Sequence, residues 1–142
     1  MIDTSAYIQV GIRGPTSGKK DYEDAWALGA RMITIDEAMS MGLARILKEI
    51  KDRVQGKPLY ITLDIDSLDP AFAPGTGTPE VGGFSSYQML QMLRGLRGLN
   101  LVGCDLVEVS PPFDHSNITS ILASNLVFEF LSLLALNKLS AQ

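Results

Sequence analysis

Leu59-Tyr60-Ile61-Thr62-Leu63-Asp64-Ile65-Asp66-Ser67-Leu68-Asp69-Pro70, followed after three residues by Pro74-Gly75-Thr76-Gly77-Thr78-Pro79, is the stretch on which the fold turns. Leu59 to Leu63 has the length and apolar character of a buried strand. Gln55-Gly56-Lys57-Pro58 stops the chain before it, and two carboxylates one residue apart close it. Side chains at i and i+2 of a strand point the same way. Asp64 and Asp66 are therefore expected to project in parallel from the strand end. Like charges that close repel unless something positive lies between them. Hard oxygen donors of this kind suit a divalent ion such as Mg, Ca or Mn. The Gly/Pro-rich segment that follows reads as an ordered loop, because proline fixes φ and glycine permits close backbone approach.

Strand and helix patterns alternate on both sides of this motif. Tyr7 to Ile12 reads as a strand, and Arg13 to Lys20 as a turn-rich loop. Asp21 to Gly29 reads as a helix with Tyr22, Ala25 and Trp26 as its apolar stripe, Trp26 being a core or interface residue. Arg31 to Thr34 is a second strand. Ile35 to Val54 reads as one long amphipathic helix, with Met39, Leu43, Ile46, Leu47 and Ile50 at helical spacing. Ser85 or Ser86 caps a helix from Tyr87 to Leu96. Leu101 to Val109 is a fourth strand, and an apolar helix runs from Ile118 to Leu136. Alternating elements of this kind predict an α/β fold, a three-layer αβα arrangement with a mainly parallel sheet. Residues 1–142 are expected to lie within a single domain. Ligands of such sheets gather at the carboxyl ends of the strands. Asp64 and Asp66 lie at one such end and Glu108 at another, independently of any family likeness.

Composition narrows the possible partners. The 142 residues are 46% hydrophobic with net charge −4, enough apolar content for a core. Basic patches and interleaved basic and aromatic residues are lacking, which argues against nucleic-acid binding. The lone Cys104 allows no internal disulfide and reads as a buried structural thiol. Asn125, Glu129 and Ser132 interrupt the last helix, so a core helix is expected and no membrane partner. Met1 to Ala6 lacks the basic and apolar regions of a signal peptide, and a cytoplasmic location is expected.

Leu63 to Pro79 closely resembles a signature segment of the ureohydrolase family, which comprises arginases, agmatinases and related guanidino-acid hydrolases. Gly11-Ile12-Arg13-Gly14-Pro15 and Glu108-Val109-Ser110-Pro111-Pro112-Phe113-Asp114-His115 resemble its agmatinase branch, and the likeness runs through nearly the whole chain. The resemblance implies a binuclear manganese site (two Mn²⁺ ions) that hydrolyses a guanidino group to urea and an amine. Two metals held by bridging carboxylates lower the pKa of a water they share, a suitable device against an unreactive guanidinium carbon. On this resemblance Asp64 and Asp66 are metal ligands. Glu108 recognises the guanidinium of a small guanidino substrate, which a carboxylate grips through two parallel hydrogen bonds. Thr78 lines the substrate pocket and is favoured over Thr76. No residue is assigned as catalytic acid or base. A homo-oligomer is expected on the same ground.

Other polar residues have simpler readings. Asp69, before Pro70, bonds to backbone in a turn. Glu80 closes the loop. Asp105, on the opposite side of its strand from Glu108, is a structural hydrogen-bonding group. His115 is a structural or rim histidine and not a ligand. Arg13 supports either a subunit contact or the loop around the site.

Two further metal motifs of the family, of the types Gly-Gly-Asp-His and Asp-Ala-His-x-Asp, are absent. The chain is therefore expected to correspond to the C-terminal half of the family fold. An alternative to the enzyme reading follows: a non-catalytic remnant or fragment that keeps the fold and lacks the chemistry.

Overall fold

The computed structural model describes residues 2–140. They form two compact units, one ending at Gln55 and the other beginning at Gly56. The division falls within the expected chain stop, where Gln55 and Gly56 are both left-handed, at φ 45° and 75°.

In the first unit β1 (Ile8–Ile12) pairs in parallel with β2 (Arg31–Thr34). Val10 lies opposite Ile33 and Ile12 opposite Thr34, so Gly11 is skipped by the ladder. Its φ of 93° is one that glycine adopts without a Cβ penalty. α1 (Lys19–Ala27) starts two residues before the expected Asp21. It buries no residue, and Trp26, expected in a core or interface, is 59% exposed with its ring 6.0 Å from that of Tyr22.

The single helix expected from Ile35 to Val54 is two helices, α2 (Ile35–Met41) and α3 (Leu43–Val54). Gly42 between them has φ 75° and ψ 161°, which no helix accommodates. The apolar spacing hid the break, because Ala38 before it and Ile46, Ile50 and Val54 after it all enter the core with Ile33. Met39, expected on that stripe, is 44% exposed. Thr34 caps α2 by accepting from the Glu37 amide at 3.3 Å. The Arg31 guanidinium joins Glu37 of α2 to Glu49 of α3, with Nε donating to Glu49 Oε2 at 3.1 Å.

In the second unit β3 (Leu59–Asp64) pairs in parallel with β4 (Leu101–Val107), with α4 (Ser86–Gly95) between them in sequence. The strands are parallel, as expected, and each unit holds one two-stranded sheet. Tyr60 lies across Gly103, where an added Cβ would sit 2.8 Å from the tyrosine ring. Ser85 caps α4 reciprocally with Gln88: the Gln88 amide donates to Ser85 Oγ at 3.2 Å and the Ser85 amide to Gln88 Oε1 at 2.9 Å.

α5 (Ile118–Ser140) runs beyond the expected end at Leu136. Ala123, Leu126, Phe130 and Leu133 are buried, and the helix packs against α4 and β4. Arg94 of α4 donates to Glu129 of α5 at 3.0 and 2.5 Å. The helix was expected to be buried, yet Ile121, Phe128, Leu131 and Leu139 face outward. By length and composition Ile118–Leu139 is capable of crossing a membrane, and one third of its most apolar 18-residue window is buried. Core helices share those traits. Cys104 is half-buried, and burial followed by the neighbouring Asp105 charge pushes its thiol pKa up.

Candidate active site

The parallel register sets the frame of the site. Asp64, the last residue of β3, lies opposite Val107, the last residue of β4. Glu108 therefore begins just beyond Asp64's own partner, at the carboxyl edge of the sheet.

Asp66 does not continue the strand. It lies in a 3-10 turn, Ile65–Ser67, so the two aspartates are not successive same-side positions of one strand, as expected from their spacing. The turn still brings them together. Asp64 Oδ1 accepts from the Asp66 amide at 3.1 Å, and Ser67 Oγ donates to the Asp64 carbonyl at 2.7 Å. Ile65 between them is fully buried and anchors the turn.

Glu108 is exposed and left-handed, with φ 65°. That conformation is uncommon outside glycine, asparagine and aspartate, and here it turns the chain sharply out of β4. The charge environment links all three carboxylates. Burial raises the Asp64 pKa, the Asp66 amide pulls it back, and the negative charges of Asp66 and Glu108 raise it further. A cation would relieve the repulsion that Asp66 and Glu108 exert on Asp64.

The Gly/Pro loop is held at many points. Thr78, exposed, donates its hydroxyl to Asp66 Oδ2 at 2.9 Å. Asp69 has the turn role expected of it and a second one: Oδ1 accepts from the Ala71 amide at 2.9 Å and Oδ2 from the Gly82 amide at 2.7 Å. It thereby ties the start of the loop to its far end. Thr76 is 2% exposed, and its hydroxyl has no hydrogen-bond partner among the described residues. Its backbone bridges to Val109, directly after Glu108.

Gly75 is wedged at the start of α5. An added Cβ would lie 2.7 Å from Asp114 Cβ and 2.9 Å from both Asp114 Cα and Thr119 Oγ1. Its amide donates to the buried Thr119 Oγ1 at 2.7 Å, and its carbonyl accepts from the Ser110 amide at 2.8 Å. Asp114 in turn accepts from the Thr119 and Ser120 amides, both at 2.9 Å, and from Ser120 Oγ at 2.7 Å. Burial pushes its carboxyl upward, but the Ser120 hydroxyl and the two amides outweigh that and hold it at about 2.

Sequence reasoning missed this support. The Asp114-His115-Ser116-Asn117 cluster before an apolar run is a helix-start signal. The contact of Thr119 with Gly75, across 44 residues, has no local signal. His115 is exposed, with its carbonyl accepting from the Ile118 amide at 3.1 Å. Asp105 Oδ2 accepts from the Tyr60 hydroxyl at 2.8 Å, a structural bond on β3–β4. The Thr62 hydroxyl and then Tyr60 hold its carboxyl below the ordinary range.

Asp64 and Asp66 offer hard oxygen donors that fit a divalent ion such as manganese. They are a partial set: among the described residues no three His, Cys, Asp or Glu side chains converge into a metal-holding group.

The sequence model described as the arginase family matches residues 1–132, and the chain belongs to that family. It is 46% identical over 131 residues to the mitochondrial guanidino acid hydrolase of Mus musculus, covering 92% of this chain and 37% of that protein. It is 44% identical over 134 residues to the mitochondrial agmatinase of Gallus gallus, covering 94% and 39%. The solved proclavaminate amidino hydrolase from Streptomyces clavuligerus superposes with a TM-score of 0.86 at 45% identity, covering 93% of this chain and 43% of that one. The chain thus spans less than half the length of these relatives, and its fold class is the three-layer α/β fold of arginases, represented in part. The relatives come from a mitochondrion in two cases and from a bacterium in the third, so the family does not fix a compartment.

Proposed function

We propose that this chain is the part of a guanidino-compound hydrolase that supplies one acidic pair to a two-manganese centre and the carboxylate that grips the guanidinium. Residues 1–142 then belong to one domain of the complete enzyme. The observation that carries this reading is the placement of Asp64 and Glu108 at neighbouring strand ends, Asp64 opposite Val107, with Asp66 in the turn that directly follows Asp64. The family relatives, named for guanidino acids, agmatine and proclavaminate, support a linear amidine as the substrate class.

Each of the chain's own residues has a task. Asp64 and Asp66 hold the metal, with Thr78 orienting Asp66. The metal, when bound, supplies Lewis acidity and a water of lowered pKa. Glu108, carried out of β4 by its left-handed backbone, would pair with the guanidinium and orient it.

For the chain by itself, no third ligand joins Asp64 and Asp66 among the described residues, which favours the second reading, a fragment without activity. A chimera tests both. Residues 1–132 replace the matching segment of the chicken agmatinase, and urea release is measured from agmatine and guanidino acids with and without manganese. We expect urea release from the chimera and none from the isolated chain. A folded, manganese-loaded chimera that releases no urea refutes the enzyme reading.

A further inference from the structure

Resting on the reading of Glu108 as the guanidinium-binding carboxylate, we propose that Thr119 is a positioning residue for Glu108, acting through Gly75. Thr119 lies in the first turn of α5 and is fully buried. Its hydroxyl accepts the Gly75 amide at 2.7 Å, a bond with no solvent to replace it. The other side of the same residue, the Gly75 carbonyl, accepts the Ser110 amide at 2.8 Å. The next residue, Thr76, bridges to Val109. Thr119, Gly75 and Ser110 therefore form one chain of bonds that ends two residues past Glu108, with Val109 between paired against Thr76.

That fixation has a purpose at this point in the chain. β4 ends at Val107, and Glu108 is held at φ 65°, a backbone state that a glutamate keeps only when its surroundings enforce it. Sheet pairing holds the chain before Glu108, and the Gly75 brace holds it after. The brace is stiff because Gly75 is enclosed by Asp114 and Thr119 with no room for a Cβ. Two residues beyond Thr76 the same loop reaches Asp66 through Thr78. One loop thus sets the distance between the acidic pair and the guanidinium carboxylate, and Thr119 is its anchor in the helix layer.

The test has two arms. In the first, amide hydrogen exchange is read on the full 142-residue chain. Thr119→Val keeps the shape and removes both the acceptor for the Gly75 amide and the hydroxyl's hydrogen bond to Asp114. We expect it to speed exchange of both the Gly75 and Ser110 amides by about tenfold or more while Leu63 and Leu106 stay protected. Thr119→Ser is expected to restore both. Faster exchange at Gly75 with Ser110 unchanged overturns the proposal. If Thr119→Val does not fold, the unsubstituted chain still decides: its Gly75 and Ser110 amides must open together, and clearly different protection of the two refutes the brace. In the second arm the same substitutions enter the chimera. Thr119→Val is expected to raise KM for the guanidino substrate roughly tenfold, with kcat and manganese content held, and Thr119→Ser to return it. An unchanged KM in a folded variant overturns the role, as does a loss of manganese, which would place the effect at the metal. The exchange arm stands even if the parent chimera proves inactive, so failure of the enzyme reading and failure of the brace remain distinct.

Discussion

Thr78 donates its hydroxyl to Asp66 Oδ2 at 2.9 Å, so the residue expected to line a substrate pocket is bonded to a candidate metal ligand. Partners that orient a ligating carboxylate typically change metal affinity or activity by about 10–100-fold when removed. Thr78→Val in the agmatinase chimera should weaken manganese binding by about that factor, while Thr78→Ser should keep it. Metal titration followed by calorimetry checks this, and a Val variant with unaltered manganese affinity refutes the link.

Asp66 and Glu108 should separate cleanly by readout. Asp66→Asn removes a metal charge and should lower turnover by more than about 100-fold, with manganese lost. Glu108→Gln keeps the shape but gives up a charge-assisted pair worth about 1.5–3 kcal/mol, so KM should rise roughly tenfold to a hundredfold. Metal analysis beside steady-state kinetics checks both. Manganese lost from the Glu108 variant and kept by the Asp66 variant would reverse the two roles.

Gly75→Ala places a Cβ 2.7 Å from Asp114 Cβ and 2.9 Å from Asp114 Cα, where backbone has to yield. Overpacking of this kind costs about 1–3 kcal/mol. Gly77→Ala, whose Cβ meets nothing within 4 Å, is the control and should be far milder. Urea denaturation of the two variants decides the comparison; equal midpoints would mean that the loop relaxes freely around position 75.

Asp114 predicts an acid-side loss of stability. Its carboxyl is lowered from 3.8 to about 2, so the folded chain binds fewer protons there than the unfolded one. The contribution is complete above about pH 4 and drains away as pH falls towards 2. Asp114→Asn should flatten the stability profile across that window. Denaturation curves collected from pH 5 to pH 2 read it directly, and parallel profiles for the two proteins would remove Asp114 as the cause.

Much of this was legible in the sequence because the informative patterns are local. The run Leu59 to Leu63, the Ser85 cap and the apolar stripe of α3 each carry their own signal within a few residues. Asp64, Asp66 and Glu108 were legible as a set because strand ends gather in α/β folds. What escaped was non-local or set by a single torsion. Gly42 breaks a helix without disturbing the hydrophobic spacing on either side. Asp66 enters a 3-10 turn that strand periodicity does not anticipate. Glu108 is left-handed although its side chain has no preference for that state. Thr119 meets Gly75 across 44 residues, which no window of sequence contains. Trp26 and the outward face of α5 are apolar yet exposed, because composition reports what a side chain prefers and not what is near enough to cover it.

Among the described residues each of the two sheets has two strands, so each strand has one side that is not paired within its own sheet. Such sides pair readily with another chain. Mass action then enters the stability of this protein: any strand that docks there binds the folded state and not the unfolded one. The melting temperature should climb with protein concentration, and sedimentation should show larger species at the same concentrations. A midpoint that stays constant over a hundredfold dilution would mean that these edges are silent.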